Sequence, residues 1–98
     1  SGKKEKPDSE VLEIGIAVYN LKDSYMEEMT TELEKKLEDS FGKKDRKLRY
    51  EILDAGGNEE KQSRQMDYLL NQNIDILVLN PVDPASVSNV LDQARDFV

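Results

Sequence analysis

The run Val11-Leu12-Glu13-Ile14-Gly15-Ile16-Ala17-Val18 is apolar on both of its alternating faces, broken only by Glu13 and Gly15. A strand of that kind needs cover above and below, which places it inside a parallel sheet clad by helices on both sides. The following residues supply the cladding. Ser24 with Glu27 reads as a capping box, and Met26, Met29, Leu33 and Leu37 then recur at helical spacing, predicting a first helix over 25–39 that Phe41 and Gly42 end. A second strand over 48–53 alternates apolar and polar side chains, as an edge strand with one wet face does. Asn58 is placed to cap a second helix with Glu59 and Glu60 in its first turn, Met66, Leu69 and Leu70 on its inner stripe, and Asn73 as a left-handed stop. A third apolar strand is expected over 74–79. Asp83 and Pro84 then read as the cap and first position of a third helix with Val87, Val90, Leu91 and Ala94 inward.

Strands alternating with helices define an α/β chain with a parallel three-layer α/β/α sheet. Right-handed crossovers and the polar alternation of the second strand favour the strand order 2-1-3, with helices 1 and 2 on opposite faces. The chain then reverses direction across the sheet between strands 1 and 3, and a ligand crevice is expected at that switch point. Residues 19–25 and 80–84 would line it. The free edge of apolar strand 3 invites pairing, so a fourth strand is expected from the remaining part of the same protein or from a companion chain. Residues 1–10 contain no large apolar side chain and are expected to form a flexible polar lead-in, leaving 11–98 as the foldable unit.

Composition removes several functions. With 21 acidic against 14 basic residues and a net charge of −7, nucleic acid is not an expected partner. The chain has no cysteine and no histidine, so it cannot build the commonest zinc sites or a Cys- or His-based catalytic centre. No apolar run reaches the length that crosses a bilayer, and the N-terminal residues lack the apolar core of a signal peptide.

The expected crevice carries Tyr19, Asp23 and Tyr25. An acid between two aromatics suits a sugar, whose apolar C–H faces stack on rings and whose hydroxyls donate to a carboxylate. Each residue also has a scaffolding role open to it: Asp23 at a helix N-terminus, Tyr25 in the first turn, Tyr19 at a strand end. Asn80 and Asp83 fit an Asx-Pro turn that needs no ligand. The Ala55-Gly56-Gly57-Asn58 loop is neither a Walker sequence nor a G-x-G-x-x-G fingerprint and reads as a turn. A phospho-accepting receiver would need paired acids after strand 1, where Tyr19-Asn20 stands, and a flavodoxin-like site would need a hydroxyl-rich loop there. The Lys35-Lys36 and Lys43-Lys44 pairs read as solvated surface.

Residues 14–26, the Gly-Asn loop entering helix 2 and Leu79-Asn80-Pro81-Val82-Asp83-Pro84 together resemble the N-terminal lobe of the periplasmic sugar-binding proteins, in particular their galactose/glucose-binding branch. The resemblance implies an incomplete first lobe of a non-enzymatic extracytoplasmic binding protein. Two lobes of this family close over one monosaccharide, glucose or galactose here, and present it to the membrane subunits of an ABC transporter or to a chemoreceptor. It further implies that Asp23 meets the hydroxyl that distinguishes the two sugars, that Tyr25 stacks on one sugar face in place of the more usual Phe, and that Tyr19 borders the pocket. Asn80 and Asp83 would shape the turn. No cofactor is implied for this segment, because the family's calcium loop belongs to the second lobe. Ser1-Gly2 and the lysine-rich residues after it resemble the start of a lipid-anchored lipoprotein, and equally a cloning remnant. Two other readings share the architecture: the effector domain of a sugar-responsive transcription regulator, which ten polar residues in place of a helix-turn-helix disfavour, and a flavodoxin-like signalling domain.

Overall fold

A computed structural model describes residues 11–41 and 47–96; the expected lead-in at 1–10 and the Lys43-Lys44 pair lie outside them. The elements follow in the order β1 (Val11–Val18), α1 (Ser24–Phe41), β2 (Lys47–Asp54), α2 (Glu59–Leu70), β3 (Ile76–Leu79), a single 3-10 turn (Pro84–Ser86) and α3 (Val87–Arg95). The sheet is parallel with the order β2-β1-β3, as the polar alternation of β2 implies.

The register decides where the chain's chemistry gathers. β1 pairs with β2 along its whole length, Val11 with Lys47 through Val18 with Asp54, and with β3 from Ile14–Ile76 to Ala17–Leu79. The carboxyl ends of the three strands therefore finish side by side. Residues 19, 55 and 80 leave the sheet at the same edge.

Because side chains alternate along a strand, β1 serves two cores. Leu12, Ile14, Ile16 and Val18 face α1, where Met26 is buried and Leu33, Leu37 and Phe41 pack against them. Tyr50 of β2 anchors this layer: its hydroxyl donates to Glu34 (2.9 Å) and Glu38 (3.3 Å) of α1, and Glu34's bond, with burial and the two acids' charge, pushes the phenol up to about 12. On the other face Ala17 meets Met66 and Leu69 of α2 and Val90 of α3. Gly15 belongs to this second face, where a Cβ would crowd its neighbours, standing 2.9 Å from Leu69 Cδ2 and 3.0 Å from Ile74 Cδ1.

Four local expectations need correction. Asp23, not Ser24, caps α1: its Oδ1 accepts from the N–H of Tyr25 (2.9 Å) and Met26 (3.4 Å), and its carbonyl accepts from Glu27 N at 2.9 Å. The strand over 74–79 begins only at Ile76. Asn73 does take the left-handed conformation (φ 59°), but Asp75 then occupies the β1 edge in its own way, its Oδ2 accepting from Glu13 N at 2.9 Å while its N–H donates to Glu13 O at 2.7 Å. The third helix starts as a 3-10 turn that Asp83 caps through Ala85 N (3.0 Å), and becomes α-helical at Val87. Met29 and Leu91, expected inward, are exposed, Leu91 at 59%. Of the α3 side chains expected inward, Val90 is the one that enters the core. Ile76 and Val78 are likewise exposed on the α1 face of β3, since α1 covers β1 and β2 and stops short of the third strand.

Candidate functional site at the strand tips

Tyr19 is the first residue beyond β1, and it is held from three directions. Its N–H donates to Asn80 Oδ1 (3.1 Å) from the end of β3, its carbonyl accepts from Gly57 N (2.6 Å) after β2, and its hydroxyl donates to Asp23 Oδ2. Gly56 and Gly57 both have positive φ, 59° and 76°. Glycine adopts such conformations at no steric cost, and that turn brings the Gly57 amide to Tyr19. The Gly-Gly loop thus makes a turn, as its sequence implies.

Tyr19 and Asp23 are thus joined directly by a hydrogen bond. Asp23 is half-buried, and its carboxylate is oriented at both oxygens: Oδ1 by the first-turn amides of α1, Oδ2 by the Tyr19 phenol. The phenol's hydrogen bond, helped by the amides of Met26 and Tyr25 and opposed by burial, holds the Asp23 carboxyl below the usual aspartate value. The same bond, with burial, pushes the Tyr19 hydroxyl up. The result is a fixed anion. A carboxylate oxygen has about two acceptor directions, so Oδ2 retains one for an external hydroxyl. Tyr25 is 69% exposed on the first turn of α1, two residues along the chain from that carboxylate, with an accessible ring face.

Asn80 and Asp83 serve the turn after β3. Asn80 N donates to Ala17 O (2.8 Å), and Asp83 caps the 3-10 turn. Two further residues, not singled out by sequence, hold the site together. Gln62 of α2 is 3% exposed; its Nε2 donates to Asn80 O (2.9 Å) and its Oε1 accepts from Val82 N (2.7 Å). Asp54 ends β2 and accepts at Oδ1 from Leu21 N (3.0 Å) and Gly56 N (2.9 Å). The Leu21 amide above all, then the Gly56 amide and the charges of Lys61 and Lys22, lower the Asp54 pKa against the effect of burial. The Asp-x-Gly spelling of Asp54-Ala55-Gly56 is an Asx-turn signal and could have flagged the second bond; nothing local announces the first. For Gln62→Leu, which leaves one part-buried carbonyl and one part-buried amide without their partner, urea unfolding is expected to show a loss of about 1–2 kcal/mol.

A small open groove of about 70 Å³ lies between α2 and α3, lined by Gln62, Met66, Leu79, Ser86 and Val90 among others. None of Tyr19, Asp23 and Tyr25 lines it, and it is well below the roughly 300 Å³ of a small-molecule pocket. The described residues contain no group of three or more His, Cys, Asp or Glu side chains able to hold a metal ion, and no helix among them is long and apolar enough to cross a membrane.

A parallel α/β sheet with an oriented carboxylate beside its topological switch point has the arrangement in which open α/β domains bind ligands. Comparison with known proteins identifies which kind of domain this is: residues 14–97 match the periplasmic binding protein domain, and the chain belongs to that family, a binding rather than a catalytic one. The chain is 27% identical over 82 residues to the ribose import binding protein RbsB of Bacillus subtilis (strain 168), covering 84% of this chain and 25% of that protein. It is 36% identical over 44 residues to the D-xylose-binding periplasmic protein of Escherichia coli (strain K12), covering 45% of this chain and 13% of the relative. Among solved structures it resembles an ABC transporter solute-binding protein of Bacillus halodurans C-125 with bound myo-inositol, with a TM-score of 0.77 at 23% identity, over 93% of this chain and 30% of that one. The chain therefore spans a quarter or less of the length of these curated relatives.

Proposed function

We propose that this chain is the first part of the N-terminal lobe of an extracytoplasmic solute-binding protein, which takes one monosaccharide between two lobes and delivers it to an ABC transporter. The observation that carries the reading is the pre-oriented Asp23 carboxylate at the switch point, held by Tyr19 and flanked by the exposed ring of Tyr25. Family membership supports the extracytoplasmic address and the transporter partner. One lobe provides one wall; the remaining part of the protein would supply the other and would cover the open side of β3, where Ile76 and Val78 are exposed. Closure of the second wall excludes water and completes the hydrogen bonding.

The finer reading, glucose or galactose, rests on the likeness of Asp23 and Tyr25 to the residues of that branch. The relatives carry ribose, D-xylose and myo-inositol in their names. All are polyols that a carboxylate and a ring can hold, so the ring size and epimer are decided by titration. Calorimetry of the full-length protein against glucose, galactose, ribose, xylose and myo-inositol is expected to give saturable binding with glucose or galactose tightest. Tighter binding of ribose or xylose would remove the hexose reading. No saturable binding to any of the five would remove the sugar reading altogether.

A further inference from the structure

We propose that Asp54 is a positioning residue for the sugar-facing loop: from the tip of β2 it clamps the middle of the β1–α1 connection and so holds Tyr19 and Asp23 in their binding geometry. The inference rests on the sugar reading above and goes beyond it to a residue that does not face the crevice as a ligand group.

The connection from Tyr19 to Asp23 has firm anchors at its two ends. Tyr19 is tied to Asn80 and Gly57, and Asp23 is built into the first turn of α1. Between them, the Lys22 amide donates only locally, to Asn20 Oδ1 at 3.0 Å, and the Asp23 amide to Asn20 O at 3.3 Å. Such bonds shape the loop without fixing it to the domain. The Leu21 amide is different, because its acceptor, Asp54 Oδ1, lies 33 residues away on a neighbouring strand. Leu21 stands two residues from Tyr19 and two from Asp23, so this bond sets how both approach each other.

Asp54 is suited to the task. The pairing of Val18 with Asp54 places it directly beside the end of β1. Its backbone is fixed by the sheet, and its carbonyl accepts from Gln65 Nε2 of α2 at 3.0 Å. The same Oδ1 that holds Leu21 also accepts from Gly56 N, so one ionised oxygen joins the β1–α1 loop to the β2–α2 loop through charge-assisted bonds. The Leu21 side chain also packs against the α1 core, which limits but does not orient the backbone there; without the clamp the loop is expected to sample other arrangements. Apparent affinity then falls by the fraction of molecules that remain competent.

The test combines amide exchange with sugar titration of the full-length protein. In the wild-type protein the Leu21 amide is expected to exchange at least about tenfold more slowly than an open chain, the signature of a closed local structure; exchange at the open-chain rate would overturn the proposal whether or not any variant folds. Asp54→Ala is expected to release Leu21 and Gly56 while the Ile16 amide of β1 stays protected, and to weaken binding of the preferred sugar by about tenfold. Asp54→Asn keeps an acceptor oxygen at the same place and is expected to restore most of both. Unchanged affinity in Asp54→Ala, or loss of Ile16 protection in parallel with Leu21, would reduce Asp54 to general scaffolding and sink the proposal. If the wild-type protein binds none of the sugars, the sugar reading fails, while Leu21 exchange still decides the clamp.

Discussion

Leu69→Ala is expected to destabilise the domain by about 2–5 kcal/mol, the range for removing a fully enclosed leucine. Leu69 is one of the largest side chains with no exposure, and it fills the space between α2 and the β1 backbone at Gly15. The same contact predicts the partner effect. Gly15→Ala inserts a Cβ 2.9 Å and 3.2 Å from the two Leu69 methyls and 3.0 Å from Ile74 Cδ1. Those atoms are side-chain ends, yet the Leu69 methyls are fully enclosed and have little room to retreat, so overpacking is expected to cost about 1–3 kcal/mol. Because both changes act on one contact, they should not add. The alanine at 15 relieves part of the cavity that Leu69→Ala opens, and the double variant is expected to be more stable than the sum of the single losses by about 0.5–3 kcal/mol. Strict additivity in urea unfolding would mean that α2 does not pack on Gly15 as described.

The second large effect concerns affinity. Asp23 both caps α1 and presents a carboxylate to the crevice, and two substitutions separate those tasks. Asparagine is as good an N-cap as aspartate, so Asp23→Asn is expected to leave the melting temperature nearly unchanged. It removes the charge and replaces one acceptor oxygen by an NH₂ donor, which can no longer accept both the Tyr19 hydroxyl and a sugar hydroxyl. Binding of the preferred sugar is expected to fall about 10- to 100-fold, in keeping with loss of a charged hydrogen bond. Asp23→Ala is expected to lose affinity to a similar extent and to lower the melting temperature as well, since the Tyr25 and Met26 amides lose their acceptor. A lowered melting temperature with unchanged sugar affinity in Asp23→Ala would assign Asp23 to capping alone.

Where the deciding interactions are local, the residues announce them. Asn58 caps α2 through Lys61 N at 2.9 Å, Asn73 takes the left-handed turn, and Gly56-Gly57 make the tight loop. Each of these depends on at most three neighbouring residues. The capping box at Ser24 is off by one position because two good capping residues stand side by side, and Asp23, which also accepts from the Tyr19 hydroxyl, is the one that caps. The early start assigned to strand 3 failed because apolarity at Ile74 signals burial, which it has in the α2 core, and says nothing of ladder pairing. Leu91 failed because amphipathic spacing shows which side chains share a face and leaves open where the covered surface ends.

By itself the sequence determined the element types, the central place of the apolar strand, the edge character of β2 and the gathering of an acid and two tyrosines near one strand end, because periodicity and turn chemistry are written within a few residues. Only the tertiary structure decided how the loop bearing that acid is fixed to the domain. Asp23 itself is held by residues within four positions of it, but the loop that carries it is tied to the sheet by Leu21 to Asp54 across 33 residues and Tyr19 to Asn80 across 61, bonds that exist because a parallel register sets three strand ends level. Pairs so distant share no local pattern and become neighbours only when the sheet has formed.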